Sequence, residues 1–168
     1  ARPERGCVLL AQPRSFFVQQ PLLHRAVVLV LDHDDERGTV GVLLHTPSNA
    51  TVGDLLRRQD SLTLRPLASN PLWIGGTVLS KQRLRILTQR CDVPGSREVL
   101  PGLSECDASA AAKMTRIGAA SASEFVVFAA ACQWDAEQLA DELANAVWLP
   151  AAASAPALTK QCRRPHDL

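Results

Sequence analysis

The stretch Leu22–Pro47, LLHRAVVLVLDHDDERGTVGVLLHTP, decides how the rest of the chain is read. Ala26–Leu31 is an unbroken apolar run, too short for a buried helix and rich in β-branched residues, so it reads as a strand covered on both faces. Asp32–Gly38 cannot be buried without stranding several carboxylates, which makes it a solvated turn. Val40–Leu44 returns as a second apolar strand, and Pro47, which has no N–H to give a ladder, ends it. The spacing predicts a central hairpin.

Outward from this hairpin the chain alternates short strands with short helices. Cys7–Ala11 is an apolar strand stopped by Pro13, and Phe16, Phe17 and Val18 fall in a packed loop between Pro13 and Pro21. Thr51 with Asp54 three residues on is a capping pair for a short helix ending near Gln59, with Leu55 and Leu56 on its buried face and Arg57 and Arg58 late, where they suit the dipole. Asp60–Pro71 reads as a polar connection. Leu72–Ile74 is a strand running into Gly75-Gly76, where the backbone must bend or approach another segment closely. Leu84–Thr88 alternates as a half-buried strand, Arg90–Arg97 is a loop, and Val99-Leu100 leads into the Pro101-Gly102 turn. Asp107–Ile117 is a helix with Ala110, Met114 and Ile117 inward and Gly118 as terminator. Glu124–Ala131 is another buried strand. Asp135 opens the best-specified helix: Gln138 completes a capping box, Trp134 and Leu139 form a hydrophobic staple, Leu143 and Val147 continue the stripe, and Glu137, Asp141 and Glu142 face water. Val147–Leu149 is extended. Ala151–Leu168 has no apolar period and is expected to lack packing of its own.

The chain has 168 residues, enough for one domain with a core that needs no metal or disulfide. Its 18 basic and 17 acidic residues balance, which argues against broad electrostatic binding to nucleic acid or anionic lipid. No apolar run approaches the roughly 20 residues of a membrane span. Five cysteines (Cys7, Cys91, Cys106, Cys132 and Cys162) are odd in number and lack a C-x-x-C, a pattern of free thiols in a reducing compartment. The start at Ala1 fits removal of a targeting peptide.

Candidate chemistry is sparse. Asp32-His33-Asp34-Asp35-Glu36 is dense in metal-capable groups, but adjacent strand residues point to opposite faces and do not converge on one ion. His24, His33, His45 and His166 lack zinc-site spacing. Gly118-Ala119-Ala120-Ser121-Ala122 lacks the closing glycine of a nucleophile elbow. The Gly75–Lys81 run lacks the second glycine of a phosphate loop. Cys106 precedes a helix, but Glu105 and Asp107 oppose thiolate formation. No metal, cofactor or catalytic set is expected.

Six pieces in order resemble the AlgH/YqgE-like family, bacterial proteins with plant and algal plastid relatives, over Gly6 to Leu149. They are Gly6–Ala11, Arg25–Leu29, Gly38-x-x-Gly41 leading to Pro47, Gly75-Gly76, Val99–Leu103, and Trp134-x-x-x-Gln138-Leu139 with Glu142-Leu143. The Val-x-Pro-Gly-Leu piece is closest to plant-type members. The resemblance implies an α+β fold, a bifurcated, mainly antiparallel sheet curled into a pseudo-barrel with helices outside it. Where the family usually reads Asn-Arg-Pro, Gly-Gly-Pro and Gly-Tyr-Ala-Gly-Trp, this chain has His45-Thr46-Pro47, Gly75-Gly76-Thr77 and Ala130-Ala131-Cys132-Gln133-Trp134.

A kept framework with altered motifs points to a non-enzymatic AlgH-like domain spanning residues 1–150 and serving as a structural or interaction subunit of a larger organellar assembly. Its expected setting is the plastid stroma, with the mitochondrial matrix or a bacterial cytoplasm as alternatives. Residues 151–168 form the expected tail, with Leu158 as an apolar anchor and Lys160, Arg163 and Arg164 against acidic groups of partner subunits. Sequence-specific contact with nucleic acid is not expected. The competing reading is a regulatory small-ligand-binding protein or cryptic enzyme. Its family-motif surface would be built from Gly41, His45, Pro47, Gly75, Gly76, Trp134 and Gln138.

Overall fold

The computed structural model describes residues 3–13, 21–56, 62–78 and 84–161, the last without the side chains of residues 160 and 161. The Phe16–Val18 loop, the end of the first helix at Arg57 and Arg58, Cys162, Arg163, Arg164 and His166 lie outside the described residues. In chain order the elements are β1 (Val8–Ala11), β2 (Val27–Asp34), β3 (Gly38–Leu43), β4 (Pro47–Thr51), α1 (Val52–Leu56), β5 (Pro71–Ile74), β6 (Arg85–Thr88) and β7 (Arg97–Leu100). There follow β8 (Leu103–Cys106), α2 (Ala108–Arg116), β9 (Phe125–Ala129), β10 (Cys132–Trp134), α3 (Ala136–Ala144), β11 (Trp148–Ala151) and α4 (Ala155–Gln161).

The central hairpin forms, and its turn is shorter than the charges suggest. Asp32, His33 and Asp34 remain in β2 and pair with Val40, Thr39 and Gly38 of β3. What lets them stay in the ladder is local satisfaction of each side chain. Asp34 accepts the N–H groups of Glu36 and Arg37 and the Arg37 guanidinium, Asp32 meets Arg5, and His33 meets Thr39. Gly38, at φ 94°, closes the loop, and a Cβ there would lie 2.2 Å from the Trp134 carbonyl oxygen. Pro47 opens β4 and does not merely end β3. It is tolerated at the start of an edge strand opposite Trp73.

Two sheets stack face to face. The first runs β10-β3-β2-β1-β11, antiparallel throughout; the second runs β4-β5-β9-β6-β8-β7, with β5 and β9 parallel. The Val-Leu run of β2 is unbroken because both of its faces are covered. Leu29 and Leu31 enter the core between the sheets with Trp73, Leu87, Leu103 and Phe128, while Val28 and Val30 face an outer core with Leu139, Trp134 and Trp148. The second sheet has an outer core of its own beneath α1 and α2, containing Ile86, Val127, Ala111 and Ala112. β6 is therefore buried on both faces, not half-buried as its alternation predicts.

Two strand pairs tie the sheets together. The chain leaves β3 for β4 at Leu44–Thr46 and leaves β9 for β10 at Ala130-Ala131, each time changing sheet. At this crossing Leu43 N–H donates to the Gly75 carbonyl, and Gly75 N–H donates to that of Ala129. The bifurcated α+β sheet implied by the resemblance is present, and among the described residues it stays open and does not close into a barrel.

Several local expectations are corrected. Leu103–Cys106 and Cys132–Trp134, too short to show a period, are strands paired to β7 and β3. The polar connection contains a 3-10 turn, Leu62–Leu67, with Leu67 fully buried. Ile117 is 64% exposed; α2 packs through its small residues Ala111 and Ala112, which let the helix approach the sheet. Ala151–Gln161 has packing of its own. Ala151 completes β11 against Val8, and α4 buries Ala155 and Leu158 in the core between the sheets.

Candidate functional site

The sequence-predicted motif residues fall into three places. Gly41, Gly75 and Gly76 lie at the sheet crossing, where they are packed against backbone. A Cβ would come within 2.7 Å of the Leu29 carbonyl oxygen at Gly41, 2.5 Å of that of Ala130 at Gly75, and 2.1 Å of the Ala131 carbonyl carbon at Gly76. The Cys132 thiol beside them is buried and points to the Gly75 carbonyl, and burial pushes its pKa up to about 12. These glycines make room for a chain crossing, not for a ligand. Of the run that resembled a phosphate loop, residues 79–81 lie outside the described residues.

Trp134 and Gln138 belong to a second cluster around Glu142. The two indoles of Trp134 and Trp148 meet edge to face, 5.6 Å between ring centres, and both donate to Glu142 Oε2, at 2.9 and 2.6 Å. Gln138 Nε2 donates to Oε1 at 2.9 Å. Glu142 thus turns inward, contrary to its expected solvent position, and Gln138 serves it instead of returning to the Asp135 N–H. The cap itself forms, with the Asp135 carboxylate accepting from Gln138 N–H at 2.7 Å. A carboxylate held by three donors orders a helix against a sheet.

His45 and Pro47 form a third, exposed place at the entry to β4. His45 Nδ1 accepts weakly from Val27 N–H, and partial burial lowers the imidazole pKa. The neighbouring Thr46 hydroxyl is buried with no hydrogen-bond partner among the described residues. The predicted motif surface therefore does not converge.

The concave site lies elsewhere, at the open edge between the sheets. A cavity of about 740 Å³ is walled by Leu44 just after β3, by Trp73, Leu87, Leu103 and Val126 of the second sheet, and by Leu158 and Thr159 of α4. Its mouth is polar, with Asn70, Gln89, Arg90, Ser123 and Glu124. Thr159 accepts from Gln89 Nε2 at 3.1 Å, which ties α4 to the end of β6. Arg90 is held between Asp92 and Glu124, with Nη1 2.9 Å from the Glu124 carboxylate. Hydrogen bonding to Asp92, then to Glu124, raises the Arg90 pKa. Arg90 in turn holds Asp92 below its usual value, while Glu124 is lowered first by Ser121 N–H and then by Arg90. With one guanidinium against two carboxylates, the mouth carries no free positive charge for an anion.

Asn70 is the most constrained group at this mouth. It is 4% exposed, and both amide hydrogens are engaged: Nδ2 donates to the carbonyls of Ala122 at 2.8 Å and Phe125 at 2.7 Å. That pairing fixes the orientation of the amide and leaves Oδ1 without a protein donor among the described residues. Nothing in the sequence singled out this wall. Its residues come from strand ends far apart in the chain, and only Leu158 was predicted to bind anything. Leu158 is instead 7% exposed, inside the chain's own core.

Cys7, Cys91, Cys106 and Cys132 are free thiols. Burial, reinforced by Asp107 and Glu105, pushes Cys106 up to about 12. Among the described residues no three His, Cys, Asp or Glu side chains converge as a metal site, and no helix is long and apolar enough to cross a membrane.

The chain belongs to the AlgH-like family (DUF179), whose profile matches residues 8–167. Solved structures that share the fold include two at low identity. One is a Corynebacterium diphtheriae protein, 23% identical, with TM-score 0.71, covering 100% of this chain and 83% of its own. The other is the AlgH protein of Pseudomonas aeruginosa, 20% identical, with TM-score 0.72, covering 94% of this chain and 82% of its own. No curated protein matches the sequence significantly. The family match runs through α4, in line with the packing of that helix on the core.

Proposed function

We propose that the chain is a non-enzymatic AlgH-like binding domain that holds a small molecule in the cavity beneath α4. The observation that carries this reading is a cavity of about 740 Å³ with an apolar floor, a polar mouth and, at that mouth, the carbonyl oxygen of Asn70, whose amide hydrogens are both engaged elsewhere. That size falls within the roughly 300–1,000 Å³ usual for ligand pockets. A binding role, not a catalytic one, fits the mouth chemistry: Arg90 and Glu124 are occupied with one another, and among the described residues no nucleophile–base pair faces the floor. Native mass spectrometry of the purified full chain tests the reading. A ligand-loaded species that organic extraction strips, with a fall in melting temperature, is expected. A chain that gains no thermal stability from any member of a chemically mixed small-molecule library counts against it.

A second reading, an interaction subunit of a larger protein assembly, is favoured by a different feature. Leu149, Leu10 and Val27 stand in cross-strand register on β11, β1 and β2, with Leu149 45% and Leu10 37% exposed. The setting that goes with this reading is the plastid stroma, on the strength of the Val99–Leu103 piece. Native purification with identification of co-migrating chains tests it. Leu149→Glu is expected to release the partner without lowering the melting temperature, and an unchanged elution profile counts against the reading.

A further inference from the structure

The chemistry of the cavity wall narrows what it holds, and this step rests on the binding-domain reading above. The floor offers apolar contact through Leu44, Leu87, Leu103, Leu158 and the ring of Trp73. At the mouth the Asn70 amide is fixed by its two donated bonds, which leaves its side-chain carbonyl as an acceptor for a ligand. The surrounding charge is a guanidinium already shared by two carboxylates, so an incoming anion meets net repulsion. We infer that the cavity binds an apolar molecule carrying a single hydrogen-bond-donating head, uncharged or cationic, with that head on Asn70 Oδ1 and its body under α4. The carboxylate excess at the mouth disfavours carboxylates, sulfonates and phosphates. A ligand that covers the Asn70 carbonyl without donating to it leaves that acceptor desolvated and unpaired, which discriminates against it.

Two fluorescent probes differing by one group make the test. N-phenyl-1-naphthylamine is apolar, uncharged and has one N–H donor; its 8-sulfonate has the same rings and a fixed negative charge. With the full chain, the amine is expected to bind saturably, one per chain, at least tenfold tighter than the sulfonate. Amides of residues 155–161 should exchange more slowly in the complex, because Leu158 and Thr159 form one wall of the site. Val126→Trp fills the cavity from the floor and should weaken the amine at least tenfold. Ser123→Lys, at the exposed mouth, should narrow the preference for the amine without altering the core.

If the sulfonate binds as tightly as the amine and Val126→Trp weakens both, the site stands and the assigned head group is wrong. If the amine does not saturate, or binds with no change in α4 exchange, the inference and the binding-domain reading both fall. Should Val126→Trp not fold, the exchange pattern and Ser123→Lys decide on their own.

Discussion

Glu142 shows how one side chain can be misread from pattern alone. Helical periodicity puts it on the outer face of α3, yet it accepts the N–H groups of Trp134 and Trp148, which arrive from β10 and β11 on either side of the helix in sequence. Removing it strands two indole donors in a mostly buried place, so Glu142→Ala is expected to cost about 2–4 kcal/mol. Glu142→Gln, which keeps an acceptor oxygen, is expected to cost less than half as much. Urea unfolding with tryptophan near-ultraviolet dichroism reads both; equal costs would mean that packing, not hydrogen bonding, fixes the indoles. The Arg90 cluster gives a pH signature at the same scale. Asp92 and Glu124 lie below their usual 3.8 and 4.5, so as pH falls through that range the unfolded chain takes up protons before the folded one. Their stabilisation is present above the usual carboxylate values and is lost as pH falls through the folded ones. Arg90→Met should raise both pKa values and flatten the loss of stability between about pH 5 and pH 3. An unchanged acid limb would show that these exposed pairs are too well screened to matter.

Elements were legible where several signals agreed. The hairpin has an apolar run, a turn and a return, and α3 has a cap, a staple and a stripe. Thr51 and Asp54 likewise form their reciprocal cap, with Asp54 Oδ2 accepting Thr51 N–H at 2.8 Å and Asp54 N–H reaching Thr51 Oγ1 at 3.3 Å. The pattern fails for β8 and β10, which hold four and three residues and have no room for a period. It fails again for α4, whose sequence APALTKQ offers only Ala155 and Leu158 to a core. Low apolar content predicted a tail that its own domain could not order. The geometry supplies what composition lacks, because Leu158 falls into a gap between two sheets and Thr159 meets Gln89. Truncation before Ala155 is therefore expected to lower stability by about 2 kcal/mol or more, the burial of one leucine and part of the core it covers. Guanidinium unfolding of the truncated and full chains measures this. Coincident curves would return the segment to the role of a partner-binding tail.

At the scale of the molecule, the two-sheet architecture depends on one crossing, and the sequence marked it only as Gly75-Gly76 and as departures from a family motif. Ala130 stands where the resemblance places a glycine, and its φ is 63°, a conformation unfavourable for any residue with a Cβ. Across from it, Gly76 touches the Ala131 backbone so closely that a methyl would lie 2.1 Å from the carbonyl carbon and 2.3 Å from its oxygen. The candidate cavity could not be read from the same letters, because its walls meet only after both sheets have exchanged strands here. Two substitutions of one methyl group should therefore act in opposite directions. Ala130→Gly relieves left-handed strain at a modest cost in unfolded-chain entropy and is expected to stabilise by about 0.5–1 kcal/mol. Gly76→Ala forces two backbones apart at the point that holds the sheets in register, and is expected to cost more than about 3 kcal/mol or prevent folding. Chemical denaturation of the two variants beside the parent chain measures both. A Gly76→Ala chain with the parent's midpoint would mean that the crossing can open, and that the cavity edge is set by something other than this contact.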